Sequence, residues 1–220
     1  LGLVGSEMCI RDRYVGGLLL HQDDETKILA IRRALDAGIN FIDTADMYGE
    51  GKSEEHIGEA LRGRRSEVIL ATKFNFRNLG TESPESRINS SVETSLRKLQ
   101  TDVIDLLYIH SASLAIITRG EIVGIVQDAQ KAGHVRYIGA TTYGQAASMA
   151  VLEDGRYDCL QLAYNLLARP LEERVHYQPV AIAPHAVTPL ELVRVAEPGD
   201  NRGHGWEHAR ATDPPREKTT

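Results

Sequence analysis

Helix-length amphipathic stretches alternate with short apolar runs between Tyr14 and Arg174. The short runs are rich in Ile, Val and Leu, whereas the longer stretches carry apolar residues at helical spacing. This alternation is typical of successive βαβ units, in which helices cover a parallel sheet. The sequence therefore predicts an α/β fold.

Five helices are predicted from apolar spacing, capping residues and glycine stops. Their ranges are 24–36, 53–61, 84–99, 121–132 and 145–152. Ser53 is the predicted N-cap of the second helix, and Glu54 lies in its first turn, where a carboxylate complements the helix dipole. Pro84 suits the first turn of the third helix, because no intrahelical hydrogen bond needs an N–H there.

Five strands are predicted between and after these helices. One passes through Phe41, and the others cover residues 68–72, 104–109, 135–140 and 157–162. Right-handed crossovers place consecutive parallel strands side by side, so these units wrap progressively round a barrel or an open sheet. A complete barrel takes about 250 residues. We therefore predict a partial TIM-type (β/α)8 barrel with five to six parallel βα units.

Both ends of the chain depart from this pattern. Residues 1–13 show neither strand alternation nor a helical face, and we expect them to be a non-native segment. The incomplete barrel is assigned to residues 14–175, and residues 176–220 to an aberrant, largely disordered tail rich in Gly, Pro and charged residues. A reading frame shifted after Glu173 is our hypothesis for this tail. The exposed edges of an open sheet are expected to favour self-association.

Chemically active side chains follow three of the predicted strands. Asp43 ends the first strand and Tyr48 lies on the loop after it, while Lys73 and His110 follow the next two strands. In a parallel α/β barrel, the carboxyl ends of the strands converge at one mouth. We therefore expect Asp43, Tyr48, Lys73 and His110 to share a pocket.

These residue types are suited to transferring a proton from a phenol to a substrate oxygen. A free phenol has a pKa of about 10, and a neighbouring ammonium favours its ionised form. Tyr48 is thus the candidate general acid, with Lys73 beside it and Asp43 stabilising the ammonium. His110 could orient and polarise a substrate oxygen through a ring N–H.

The phrase Asp43-Thr44-Ala45-Asp46-Met47-Tyr48-Gly49, the pair Ser53-Glu54 and the run Ala71-Thr72-Lys73 resemble aldo-keto reductases. The resemblance implies a catalytic tetrad of Asp43, Tyr48, Lys73 and His110 and an NADPH-dependent reduction of an aldehyde or ketone to an alcohol, or the reverse reaction. Two alternatives stay open. The first is that the chain is a catalytically inactive truncated fragment. The second is that it is a regulatory or binding subunit of the same superfamily.

The resemblance also implies cofactor contacts for NADP(H) at Thr141, Thr142 and Gln161. Members of the family hold the nicotinamide carboxamide with a Ser-Asn pair after their own fifth strand and with a Gln that ends their sixth. In this sequence those positions are Thr141, Thr142 and Gln161. Thr141 keeps the hydroxyl, but Thr142 lacks the paired donor and acceptor of an Asn amide. No basic segment matching the family's phosphate-binding loops follows, so cofactor binding is expected to be weak or absent.

Composition narrows the function classes. The 220 residues carry a net charge of −6, with 42% hydrophobic and 25% charged residues, which is typical of a globular protein and gives no basic surface for nucleic acid. No apolar run approaches the roughly 18 residues of a membrane span, so we expect a cytoplasmic protein. The resemblance to aldo-keto reductases implies a small-molecule carbonyl substrate. Cys159 is expected to be a buried apolar residue, and no metal site is predicted.

Overall fold

The computed structural model describes residues 22–75 and 82–163, together with the strand Leu190–Arg194. Its helices are α1 (Asp24–Asp36), α2 (Lys52–Ala60), α3 (Pro84–Leu99), α4 (Leu114–Arg119), α5 (Glu121–Lys131) and α6 (Gln145–Asp154). Its strands are β1 (Phe41–Asp43), β2 (Ile69–Phe74), β3 (Ile104–Ile109), β4 (Val135–Thr141), β5 (Cys159–Ala163) and β6 (Leu190–Arg194). Short 3-10 turns cover Tyr48–Gly51 and Arg65–Glu67.

The five predicted helices and five predicted strands are all present, with shifts of one to two residues at several ends. The prediction that Ser53 caps α2 is wrong. The helix begins at Lys52 and its N-cap is Gly51, whose φ of 87° is left-handed. Glycine is suited to this position because a Cβ there would also overlap the Lys98 ammonium. Helix α4 was not predicted, since six residues are too few to show a helical period.

The strands form one sheet in the order β1-β2-β3-β4-β5-β6. Strands β1 to β5 pair in parallel with their sequence neighbours, which is the arrangement predicted for successive βαβ units. Strand β6 pairs antiparallel with β5. Its residues fall within the range for which the sequence predicts a disordered tail, and the rest of that range lies outside the described residues.

A single hydrogen bond shows how strongly the sheet curls. Strands β1 and β5 are separated by three other strands, which in a flat sheet would hold them roughly 19 Å apart at the usual strand spacing. Yet Gln161 Nε2 on β5 donates to Asp43 Oδ2 on β1 at 3.0 Å. The five parallel strands therefore form a curled half-barrel, and the predicted partial barrel is confirmed.

The alternation of side chains along each strand builds two separate cores. On the outer face, a large apolar cluster packs between the sheet and the helices; it includes Ile42, Leu70, Leu107, Ile138 and Leu160. On the concave face, a smaller cluster consists of Ala71, Leu106, Tyr108 and Cys159, with Phe41 and Tyr137 packed against it. Strand β3 is buried along its whole length, as expected for a parallel strand covered on both faces.

Tyr108 forms the floor of the concave face. Its side chain is fully buried, and its hydroxyl lies 3.5 Å from Cys159 Sγ, two strands away. The ring occupies space above Gly139 on the intervening strand, where a Cβ would lie 2.5 Å from Tyr108 Cδ1. A glycine at this position therefore lets an aromatic ring fill the interior of the half-barrel.

Candidate active site

Four polar side chains lie together at the carboxyl ends of the first three strands. Asp43 is the last residue of β1, Lys73 is the penultimate residue of β2, and His110 directly follows β3. Tyr48 begins the 3-10 turn on the loop after β1. The contacts described below join all four, so the structure brings together the residues that the sequence singled out.

Lys73 and Asp43 form a buried ion pair. Lys73 Nζ lies 2.6 Å from Asp43 Oδ1, and the two side chains are 1% and 2% exposed. Lys73 also donates to the carbonyl oxygen of Thr44 at 3.0 Å, while Gln161 donates to the second carboxylate oxygen of Asp43. Both charges are thus compensated by hydrogen bonds as well as by each other, which burial requires.

Two aromatic rings enclose the ammonium. Lys73 Nζ lies 5.3 Å from the ring centroid of Tyr48 and 5.8 Å from that of Tyr108. Both distances are within the range in which a cation is attracted to a ring face. Tyr48 in turn meets His110 edge to face, with ring centroids 6.1 Å apart and an interplanar angle of 86°. Phenol, ammonium and imidazole therefore border one volume.

The loop that carries Tyr48 is fixed at several points. The backbone N–H of Asp46 donates to the carbonyl of Lys73 at 2.9 Å, and the Asp46 carboxylate accepts from Ser91 on α3 at 3.1 Å. Thr44 and Ser53 share a hydrogen bond between their hydroxyls, 2.8 Å apart. These contacts join the loop to β2, α2 and α3. The position of Tyr48 is thus set by β2 and by two helices on the outer side of the sheet.

The mouth of the half-barrel also has an apolar component. Met47 is 47% exposed, next to Tyr48 in sequence, and its sulfur accepts from Asn75 Nδ2 at 2.9 Å. Asn75 follows the last residue of β2 and is largely buried. Asn75 was not among the predicted site residues. Its position two residues after Lys73, just beyond the strand, is the feature of the sequence that points to it.

The three predicted cofactor contacts face different directions. Thr141 is largely buried at the end of β4, and its hydroxyl oxygen accepts from the backbone N–H of Ser111 at 2.6 Å. Gln161 lies on the concave face, where it contacts Asp43. Thr142 instead shares a hydrogen bond with Ser148 of α6, with the hydroxyl oxygens 2.7 Å apart. Thr141 and Gln161 therefore border the candidate site, whereas the Thr142 hydroxyl is directed toward a helix.

Glu54, which was predicted to lie in the first turn of α2, is a buried acid. It is fully buried, and it accepts a hydrogen bond from Thr72 on β2 at 2.7 Å. Burial raises the pKa of Glu54 above its ordinary value, although hydrogen bonds from Thr72 and Ser95 act in the opposite direction. The nearby charge of Asp46 raises this pKa further, while that of Lys98 lowers it. Its neighbour in the chain of contacts, Thr72, directly precedes Lys73.

The raised pKa of Glu54 predicts a pH-dependent loss of stability. The pKa of Glu54 is higher in the folded chain than in the unfolded chain, where a Glu side chain has a pKa of about 4.3. Stability is therefore lost as pH rises from that value through the pKa of the folded state, by about 1.4 kcal/mol for each unit by which the pKa is raised. Glu54→Gln, which cannot ionise, should gain on the wild type over this window.

Urea unfolding between pH 4 and pH 8 measures this difference. Glu93→Gln is the matched control, because Glu93 lies on the exposed side of α3, the helix that also carries Ser95. The interpretation fails if the difference between wild type and Glu54→Gln stays constant with pH, or if Glu93→Gln shows the same trend.

Comparison with known proteins identifies the lineage of this half-barrel. Residues 15–181 match the family model described as "Aldo/keto reductase family", which is more than half of the chain. The chain belongs to the aldo/keto reductase family. Its predicted membership, inferred from the sequence phrase around Tyr48 and from Lys73, is thereby confirmed.

Individual relatives in the aldo/keto reductase family share about a third of its residues. It is 36% identical over 181 residues to the aldo-keto reductase YhdN of Bacillus subtilis, covering 79% of this chain and 54% of that protein. It resembles the solved aldo-keto reductase AKR11C1 of Bacillus halodurans with a TM-score of 0.62 and 32% identity, covering 70% and 53% of the two chains.

A second solved relative is an aldo/keto reductase from Klebsiella pneumoniae in complex with NADP and acetate. The likeness has a TM-score of 0.59 and 28% identity, and it covers 69% of this chain and 52% of that one. The chain therefore spans about half the length of the relatives that it matches.

Three other properties of the aldo/keto reductase half-barrel concern Cys159, membrane-spanning helices and metal-binding groups. Cys159 is buried, and burial raises the pKa of its thiol to about 12, as expected for a packing residue and not a reactive thiol. Within residues 22–75 and 82–163 and strand β6, no helix is long and apolar enough to cross a membrane. The same part of the chain holds no group of three or more side chains that could bind a metal ion.

Proposed function

We propose that this chain acts as an NADPH-dependent carbonyl reductase, converting an aldehyde or ketone to an alcohol. The observation that carries the proposal is the buried Lys73 ammonium, held by Asp43 on one side and facing the Tyr48 ring on the other. An ammonium in this position favours release of a phenolic proton. Family membership supports the same conclusion.

Each member of the tetrad has a distinct role in this proposal. Tyr48 donates its phenolic proton to the carbonyl oxygen as negative charge develops there. Lys73 stabilises the resulting phenolate, and Asp43 forms the ion pair that holds the lysine in place. His110, whose ring is perpendicular to that of Tyr48, orients the carbonyl from the other side.

The residues at the mouth fit a nicotinamide cofactor in part. NADPH, when bound, supplies the hydride that is added to the carbonyl carbon, and a solved relative binds NADP. The hydroxyl oxygen of Thr141 accepts from Ser111, and its O–H can act as a donor. Gln161 donates one N–H to Asp43, and its amide has a second N–H and a carbonyl oxygen. We propose that these two residues contact the carboxamide. Thr142 shares a hydrogen bond with Ser148 and so joins the end of β4 to α6.

Transfer of a labelled hydride tests the proposed reaction directly. The chain is incubated with a panel of aldehydes and with NADPH that carries deuterium at nicotinamide C4, and the alcohols are examined by mass spectrometry. One deuterium on the former carbonyl carbon is expected, and a parallel series with labelled NADH compares the two cofactors. Quenching of NADPH fluorescence without labelled alcohol would favour a regulatory subunit, and neither signal would favour an inactive fragment. Either outcome contradicts the proposal.

A further inference from the structure

The residue that follows His110 has an unusual backbone conformation. Ser111 has a φ of 55°, and it is one of three residues other than glycine with a positive φ in the described part of the chain. This left-handed conformation is disfavoured for a residue with a Cβ, because the Cβ approaches the following carbonyl oxygen. Some interaction must therefore hold the turn after β3 in this shape.

Thr141 supplies two of the hydrogen bonds that hold this turn. Its hydroxyl oxygen accepts from the backbone N–H of Ser111 at 2.6 Å, and its carbonyl oxygen accepts from the N–H of Ala112 at 2.7 Å. On the other side, the N–H of His110 donates to the carbonyl of Phe74 at 2.8 Å. Three consecutive N–H groups are thus anchored to the two strands that flank β3.

Among these three bonds, only the one to Ser111 depends on a side chain. Any residue at position 141 presents a carbonyl to Ala112, but the bond to Ser111 requires a hydroxyl oxygen at that place. Thr141 is 8% exposed, so water has little access to replace a missing bond. The hydroxyl is therefore the specific contact that opposes the strain at Ser111.

We propose that Thr141 is a positioning residue for His110. By fixing Ser111 in the left-handed conformation, its hydroxyl sets the direction in which the backbone presents the imidazole to the Tyr48 ring. The consequence for catalysis rests on the proposed function, because a misplaced imidazole matters for turnover only if His110 orients a carbonyl. The structural claim itself can be tested without turnover.

Two substitutions separate the hydroxyl from the rest of the side chain. Thr141→Val keeps the branched shape but removes the acceptor, whereas Thr141→Ser keeps the acceptor but removes a methyl group. In Thr141→Val, we expect hydrogen exchange at the Ser111 amide to accelerate roughly tenfold, the usual effect of losing one hydrogen bond. The NMR signals of the His110 ring should shift or broaden in the same variant. Thr141→Ser should resemble the wild type in both measurements.

A second background makes the test independent of a general packing defect. Ser111→Gly removes the Cβ that makes the left-handed conformation unfavourable. If the hydroxyl acts against this strain, Thr141→Val should disturb the His110 signals less in the Ser111→Gly background than in the wild type. Equal disturbance in both backgrounds, or unchanged His110 signals in Thr141→Val, overturns the proposal.

Kinetics then connect the position of His110 with the proposed reaction. A displacement of a catalytic group by about 1 Å can reduce the rate on the order of 100-fold. For Thr141→Val we expect a fall of this order in kcat that Thr141→Ser restores. If the wild type itself shows no turnover, the proposed function fails, while the exchange and NMR measurements still decide the role of Thr141. If kcat falls equally in Thr141→Ser and Thr141→Val, the positioning role of the hydroxyl is rejected.

Discussion

Lys73→Met is expected to destabilise the folded chain by about 3–5 kcal/mol, the usual cost of leaving one buried charge without its partner. The substitution keeps a long apolar side chain beneath Tyr48 but removes the ammonium that lies 2.6 Å from Asp43. Asp43 is 2% exposed, so water cannot replace the lost interaction, and Gln161 donates to only one of its oxygens. Urea unfolding followed by circular dichroism measures the loss.

Two control variants show whether the loss arises from the unpaired carboxylate. Asp43→Asn combined with Lys73→Met removes both charges, so this double variant should recover most of the stability lost in Lys73→Met. Lys131→Met breaks an ion pair with Asp128 of similar length, 2.8 Å, but those side chains are 76% and 73% exposed. Its effect should stay below about 1 kcal/mol. A loss in Lys73→Met no larger than in Lys131→Met would contradict the burial argument.

The sequence predicted elements well where local signals agreed. Helix α3 begins at Pro84 after the N-cap Ser83 and ends at Leu99, and strand β3 covers Ile104–Ile109, both as expected. The proximity of these four side chains, Asp43, Tyr48, Lys73 and His110, could be predicted because each lies at or after the end of a predicted strand, and parallel strands place their carboxyl ends together. Period-two alternation also explains why Lys73, Tyr108 and Gln161 face the concave side.

Other features of the site depend on contacts between residues that are distant in sequence. Glu54 reads as an ordinary first-turn carboxylate, and its burial follows only from the packing of α2 and α3 over Thr72. Likewise, the bond from Ser111 to Thr141 joins residues thirty positions apart, and no local pattern indicates it.

Polar contacts on the outer face of the sheet are connected to the tetrad on its inner face through neighbouring residues. Thr72 points outward to Glu54, and the next residue, Lys73, points inward to Asp43. Asp46, whose pKa is raised by burial, joins the Tyr48 loop to Ser91 on α3. Helices α2 and α3 therefore constrain the strand and the loop that supply the lysine and the phenol. Substitutions that break these outer hydrogen bonds should therefore shift the side chains of the tetrad, although they replace none of its four residues.

Tyr48→Phe is expected to lower kcat by about 10²–10⁴-fold if the chain has the proposed carbonyl reductase activity, because this is the usual contribution of a general acid. The substitution removes only the hydroxyl, so the ring still contacts the Lys73 ammonium and the His110 edge. The free energy of unfolding should therefore fall by no more than about 1.5 kcal/mol, the net contribution of one hydrogen bond, and the affinity for NADPH should change little. Rates with NADPH and an aldehyde, together with fluorescence titration of the cofactor, separate the chemical step from binding.

Tyr157→Phe is the matched control for the loss of a phenolic hydroxyl. Tyr157 is 2% exposed and precedes β5 at the opposite end from the tetrad, and its hydroxyl has no hydrogen-bond partner among the residues described. Burial raises the pKa of Tyr157 to about 12, so this phenol stays neutral at the assay pH. Its removal should leave turnover unchanged. The proposed mechanism is wrong if Tyr48→Phe retains the wild-type kcat, or if both variants lower kcat equally, because Tyr48 is then not the proton donor. Neither outcome would change the description of the fold.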